Sequence, residues 1–217
     1  MRVLVYAPHN DDEVLGVGGT IAKLADEGHE VFVCEITSGQ NKERVELIKS
    51  EARKAHSILG VKESYFLDLP VVELKNISSI EINKKISKIT KEINPDVAFI
   101  PHKGDMHRDH YEVALAAMVA LRPVELPNLK AIYAYETLSE TEWNIPSSDN
   151  LFVPNVWVDI SNYIDKKIEA MRCYESQLQQ FPKPRSIEAI EALSNYRGST
   201  ICKNNAEAFM LIRQQGI

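Results

Sequence analysis

The chain has 217 residues, enough for one α/β unit with a sizeable core. Its 44% apolar and 7% aromatic content is ordinary for a globular protein, and no apolar run approaches the ~18–20 residues needed to cross a bilayer. A formal net charge of −6 argues against a nucleic-acid binder, and the N-terminus lacks the basic region and long apolar stretch of a secretory signal. Cys34, Cys173 and Cys202 are scattered and form no Cys-x-x-Cys pair, so they read as incidental thiols in a reducing cytoplasm.

The first half alternates strand and helix. Arg2 to Ala7 is short, apolar and β-branched, and reads as a buried strand. Val14 to Gly28 places Leu15, Ile21, Leu24 and Ala25 at helical spacing and ends at a glycine. A strand over Glu30–Ile36 follows, then a charged amphipathic helix from Glu43 to Leu59 stopped by Gly60. Ser64–Leu69 is a third strand, closed by Pro70, and Ser79–Ile93 is a helix with Ile80, Ile82, Ile86 and Ile89 toward the core. Val97–Ile100 is a strand and Tyr111–Leu121 a helix. Repeated βαβ units of this kind predict a parallel sheet covered by helices on both faces.

The second half changes character. Lys130–Glu136 is a strand and Asn144–Asn150 a loop. Asn155–Ile160 reads as a short strand running into a helix over Tyr163–Gln180, with Asp159 or Ser161 at its cap. Pro182 and Pro184 break it, and Ser186–Tyr196 is the last clear helix, stopped at Gly198. With no repeat, low-complexity tract or linker, residues 1–217 are expected to form a single domain.

Two polar clusters stand where strands end. The first is His9-Asn10-Asp11-Asp12-Glu13, directly after the first strand. Three carboxylates crowded beside one imidazole repel one another and are costly to bury uncompensated, a problem that a divalent cation removes. One imidazole and one carboxylate suit zinc, and a neighbouring carboxylate stays free as a base. The second cluster runs from Pro101 to His110 after the strand Val97–Ile100. Carboxyl ends of parallel strands line the ligand crevice in open α/β sheets. Two such ends would bring His9, Asp12 and one of His107 or His110 around a single ion. Three protein ligands with an open position is a catalytic rather than a structural pattern.

The bland reading of the first cluster is an acidic helix start, since carboxylates favour helix N-termini. It accounts for Asp12 and Glu13 but leaves His9 and the second cluster unexplained. His102 reads as structural or surface, and His29 and His56 as solvent-facing. Tyr135, Arg185 and Arg197 read as structural. Lys166-Lys167 and the pair Glu188 and Glu191 read as solvated helix faces. Gly16-Val17-Gly18-Gly19 is not a dinucleotide loop, because Ile21 stands where the third glycine belongs.

Pro8-His9-Asn10-Asp11-Asp12-Glu13 and His107-Arg108-Asp109-His110, in this order, resemble the two motifs of the PIG-L or LmbE-like zinc-dependent N-acetylglucosaminyl de-N-acetylase family. Gly16–Thr20, Thr37-Ser38-Gly39, Ser176-Gln177 and Glu207-Ala208-Phe209 extend the resemblance over almost the whole chain. The resemblance implies a Rossmann-like three-layer α/β/α fold, with a mostly parallel sheet and the active site at the strands' carboxyl ends. It also implies His9, Asp12 and His110 as ligands of zinc or another divalent transition metal. Asp11 becomes the base toward the attacking water. His107 becomes the oxyanion stabiliser or acid, with Asp109 orienting it. The expected substrate is an N-acetylated amino sugar or its conjugate, and the expected state a homo-trimer or homo-hexamer. Two other functions fit the same motifs: an amidase on another sugar-linked amide, such as a thiol conjugate, and a non-catalytic metal-dependent sugar-binding module. An intact Asp11 favours catalysis. Asn10 replaces the family's usual proline, and Ile48 stands where many members place an arginine, leaving Arg44 or Lys49 to compensate.

Overall fold

The computed structural model describes residues 1–215. Its strands are β1 (Arg2–Ala7), β2 (Glu30–Ser38), β3 (Glu63–Pro70), β4 (Val97–Pro101), β5 (Ala131–Tyr135), β6 (Val156–Asp159) and β7 (Ala206–Gln214). The helices are α1 (Asp12–Asp26), α2 (Lys42–Leu59), α3 (Ser79–Ile93), α4 (Arg108–Ala120), α5 (Ile164–Arg172) and α6 (Ile187–Ser199). One seven-stranded sheet runs in the order β3-β2-β1-β4-β5-β7-β6. Strands β1 to β5 pair in parallel, while β7 runs antiparallel to both β5 and β6. This is the expected mostly parallel α/β architecture.

Alternation along the central strand explains the layering. Leu4 and Tyr6 of β1 pack with Ile82, Ile86 and Ile89 of α3 and with Val113 and Ala117 of α4. Val3, Val5 and Ala7 point the other way, onto Val14 and Val17 of α1, Ala52 and Ala55 of α2, and Met171 of α5. Both faces of β1 are therefore buried, which is why its sequence is a continuous apolar run.

The caps follow the residue types. Asn41 Oδ1 accepts the Arg44 N–H at the start of α2, Gly60 ends that helix in the left-handed conformation, and Ser186 Oγ accepts the Ala189 N–H of α6. The glycines of α1 serve packing rather than phosphate. A Cβ on Gly16 would strike the Tyr135 ring, and one on Gly19 would strike Ile160.

The structure corrects several readings. The helix expected over Tyr163–Gln180 stops at Arg172, where the chain turns so that Tyr174 enters the core and Ser176 hydrogen-bonds Glu51. The strand β7 was not anticipated. Its partners β5 and β6 are remote in sequence, and a buried Glu207 interrupts its apolar pattern.

Lys167 is buried, not solvated: its Nζ donates to Glu207 Oε1 at 2.6 Å and to Leu15 O at 2.8 Å. Glu207 also accepts the Gly19 and Thr20 N–H groups, so this pair ties α1 to α5 and β7. The spacing Ile164, Lys167, Ile168, Met171 already placed Lys167 on the apolar stripe. Replacing it with methionine strands a buried carboxylate, so Lys167→Met should cost about 3–5 kcal/mol, read as a lower urea midpoint. A change below ~1 kcal/mol would show that Glu207's backbone donors satisfy it alone.

Candidate active site

The sheet order places β1 between β2 and β4, so the chain leaves β1 in one direction and later crosses to β4 in the other. A crevice opens at that switch point, beyond the carboxyl ends of β1 and β4. Residues 8–13 follow β1 and residues 102–110 follow β4. Both predicted clusters therefore meet there, each entering a helix, α1 and α4.

Within the crevice, His9 Nδ1 lies 3.3 Å from Asp12 Oδ2, His110 Nε2 lies 3.1 Å from the same oxygen, and the two nitrogens are 3.4 Å apart. The far side of each imidazole meets a carboxylate. His9 Nε2 is 3.3 Å from Asp109 Oδ2, and His110 Nδ1 is 2.7 Å from Asp105 Oδ2. With the outer nitrogens as donors, the two inner ones present lone pairs toward Asp12. This is the carboxylate–histidine arrangement that orients metal ligands. Asp12 Oδ1 is buried without a hydrogen-bond partner among the described residues. The donor set and this orphaned oxygen fit a divalent cation held by His9, Asp12 and His110. Burial disfavours the imidazolium of His110, yet Asp12 and Asp105 together outweigh it and hold its pKa well above the usual imidazole range, so a cation entering the triad would take the place of the proton on Nε2.

Asp11 sits beside this triad, fully buried, with φ 131°. A non-glycine residue there is strained, by roughly 1–3 kcal/mol. Three contacts hold it: its N–H donates to Glu13 Oε2 at 3.2 Å, its carbonyl accepts from α1, and its Oδ2 accepts from Arg185 Nη1 at 3.1 Å. Its Oδ1 has no partner among the described residues. Burial pushes its pKa up to about 8. Arg185 opposes that rise, while Asp12 and Glu13 add to it.

His107 caps α4, with Nδ1 accepting the Asp109 N–H at 3.2 Å. That contact leaves Nε2 to carry the proton in the neutral ring. Its ring stands edge-on to His9, with centroids 4.3 Å apart. Burial and the neighbouring His9 lower its pKa to about 4, although Asp109 pulls the other way. Asp109 Oδ2 lies 3.3 Å from His9 Nε2 but 3.8 Å from His107 Nδ1, and it also accepts the Val72 N–H at 2.7 Å.

A cavity of about 470 Å³ opens over His9 and His107, and its wall includes Arg44, Ile48, Glu140 and Arg185. Lys49 turns away to pair with Asp68, so of the two cations expected to compensate for Ile48 only Arg44 reaches this wall.

Arg185, read as structural from the sequence, belongs to the site. Its Nε donates to Ser139 Oγ and its Nη2 to Glu140, which fixes the guanidinium against Asp11. Nothing near it in sequence signalled this, since it lies 174 residues from Asp11. The Tyr135 hydroxyl donates to Tyr6 O, and Arg197 pairs with Glu136. His102 is buried and its Nε2 meets Asn150 O.

His56 is not solvent-facing. It is buried against Glu13, Glu35 and Ser64, on the stripe Ala52, Ala55, His56, Leu59 that marks the inner face of α2. Among the described residues no helix is long and apolar enough to cross a membrane.

The chain matches a family model over residues 4–121, described as PIG-L: GlcNAc-PI de-N-acetylase. It is 29% identical over 194 residues to the diacetylchitobiose deacetylase of Thermococcus kodakarensis, covering 82% of this chain and 71% of that protein. It is 28% identical to a Bacillus cereus protein named probable N-acetyl-alpha-D-glucosaminyl L-malate deacetylase 2, covering 82% of this chain and 84% of the other. The solved structure of N,N'-diacetylchitobiose deacetylase from Pyrococcus horikoshii superposes with a TM-score of 0.79 at 26% identity, covering 97% of this chain and 83% of that one.

Proposed function

The chain belongs to the PIG-L family of de-N-acetylases, and from that premise we propose that it hydrolyses the acetamide of an N-acetylated amino sugar or its conjugate. The observation that carries this reading is the His9, Asp12, His110 triad with the unpartnered Asp11 oxygen beside it.

His9, Asp12 and His110 would hold zinc or another divalent transition metal, which would supply Lewis acidity toward water and the acetamide carbonyl. Asp11 takes the proton of the attacking water through its free Oδ1. Arg185 fixes that carboxylate and favours its ionised form. His107, with its proton on Nε2, donates to the carbonyl oxygen as negative charge develops there. The proton held on Asp11 then passes to the nitrogen as the C–N bond breaks, giving acetate and the free amine. Asp109 orients His9 as well as the His107 loop. We read residues 1–217 as one catalytic unit, supported by the single sheet whose strands span Arg2 to Gln214. The three unpaired cysteines support a cytoplasmic location.

Incubation of the zinc-loaded protein with N-acetylglucosamine, diacetylchitobiose and an N-acetylglucosaminyl malate should release acetate from at least one. Tight binding of any of them without acetate release would instead favour a sugar-binding module.

Arg185 gives a pH-dependent test. The base works only when ionised, so kcat/KM falls as pH drops through the Asp11 pKa. The guanidinium lowers that pKa, so Arg185→Met should move the acid limb to higher pH, by ~1 unit or more. An unmoved limb with only KM raised would restrict Arg185 to substrate contact.

A further inference from the structure

A second cluster lies behind the first, in the core between β2, α1 and α2, and the proposed reaction does not use it. Glu13, Glu35 and His56 are all buried, and their ligand-type atoms lie within 4.8 Å of one another. His56 Nε2 is 3.2 Å from Glu13 Oε1 and 3.4 Å from Glu35 Oε1. His56 Nδ1 is 2.6 Å from Ser64 Oγ, a partner that can hold the ring's proton on that side. Tyr174 donates its hydroxyl to Glu13 at 2.6 Å. Neither oxygen of Glu35 finds a hydrogen-bond partner among the described residues, although its side chain is 1% exposed and aimed into the cluster.

With Nδ1 protonated, the centre holds one lone pair and two carboxylates, three acceptors that need a cation between them. Magnitudes separate a proton from a metal. A charge-assisted N–H···O contact closes to about 2.7–2.9 Å. The protein makes such a contact at 2.7 Å between His110 and Asp105. Both His56 contacts are longer. They match the 3.1–3.4 Å spacing within the His9, Asp12, His110 triad. Donors about 2.0–2.2 Å from a tetrahedral ion stand roughly 3.3–3.6 Å apart.

We infer that Glu13, Glu35 and His56 form a second divalent-cation site, buried and structural. One dication neutralises two buried carboxylates, of which Glu35 has no hydrogen-bond partner among the described residues. Because Glu13 also accepts the Asp11 N–H, the ion would anchor the strained backbone that presents the base.

The test is zinc stoichiometry on the whole chain, stripped with a chelator, refilled with zinc and desalted. Wild type should retain about two ions, Asp12→Ala/His110→Ala about one, and that variant with Glu35→Gln and His56→Gln added should retain none. One ion in wild type with none in the double variant overturns the inference and leaves a proton in the cluster. Retention of the ion by the fourfold variant overturns it too, by locating the ion elsewhere. Should the fourfold variant not fold, chelator added to Asp12→Ala/His110→Ala decides. A Tm lowered by ~5 °C or more supports the site, and an unchanged Tm overturns it. None of these readouts depends on deacetylation, so failure of the proposed activity would leave this result standing.

Discussion

Asp11→Asn should lower kcat by ~10²–10⁴-fold while zinc content stays at the wild-type level. The amide keeps the shape of the side chain and can still face Arg185, but it cannot take a proton from water. Asp11 is outside the His9, Asp12, His110 set, so the metal has no reason to leave. Stability moves in the opposite direction to activity. Burial raises the folded-state pKa of Asp11, so this group's contribution to stability is fully present below the unfolded pKa and is lost as pH rises through the folded value. A neutral amide removes that loss, and the metal-free Asp11→Asn protein should melt at or above the wild-type temperature near pH 8 and above. Stopped acetate assays, elemental analysis and thermal melts read the three quantities separately. Activity within a few-fold of wild type would remove Asp11 from the base role. Glu140 would then be the candidate, since it lines the cavity and burial raises its pKa. Glu13 is already committed to the Tyr174 hydroxyl and the Asp11 N–H.

His110→Ala should lose zinc from the triad and with it nearly all activity, and should also unfold more easily. His110 is fully buried between Asp12 and Asp105, so its removal takes the shared imidazole partner from two buried carboxylates. Breaking such a pair costs about 3–5 kcal/mol. His107→Ala provides the contrast. His107 lies outside the triad and its ring is partly exposed, so that variant should keep the ion and lose kcat by ~10²–10³-fold, as expected of a donor acting in the transition state. Asp109→Asn should fall between them. It weakens the contact to His9 Nε2, and carboxylates in that position are worth ~10–100-fold in metal affinity. Zinc competition with a chromophoric chelator orders the three variants. Equal zinc loss in His107→Ala and His110→Ala would mean that both imidazoles hold the ion.

The sequence by itself determined the architecture of the parallel half and the chemical content of the site. Short apolar runs alternating with amphipathic stretches leave few arrangements other than βαβ units. A cluster of carboxylates and imidazoles at two strand ends is hard to reconcile with burial unless a cation balances it. Local rules sufficed there because each signal lay within one element or its cap. Two more signals were present in the periodicity: His56 and Lys167 occupy apolar-stripe positions of α2 and α5, and their polar chemistry made them look exposed. Only the tertiary structure decided what those two groups touch, since their partners Glu13, Glu35 and Glu207 come from other elements. The same holds for Arg185 against Asp11, for Asp109 facing His9 more closely than His107, and for β7 completing the sheet from the far end of the chain. Such contacts depend on long-range packing, in which a charge is stabilised by whichever opposite charge the fold brings beside it, and a one-dimensional pattern carries no record of that pairing.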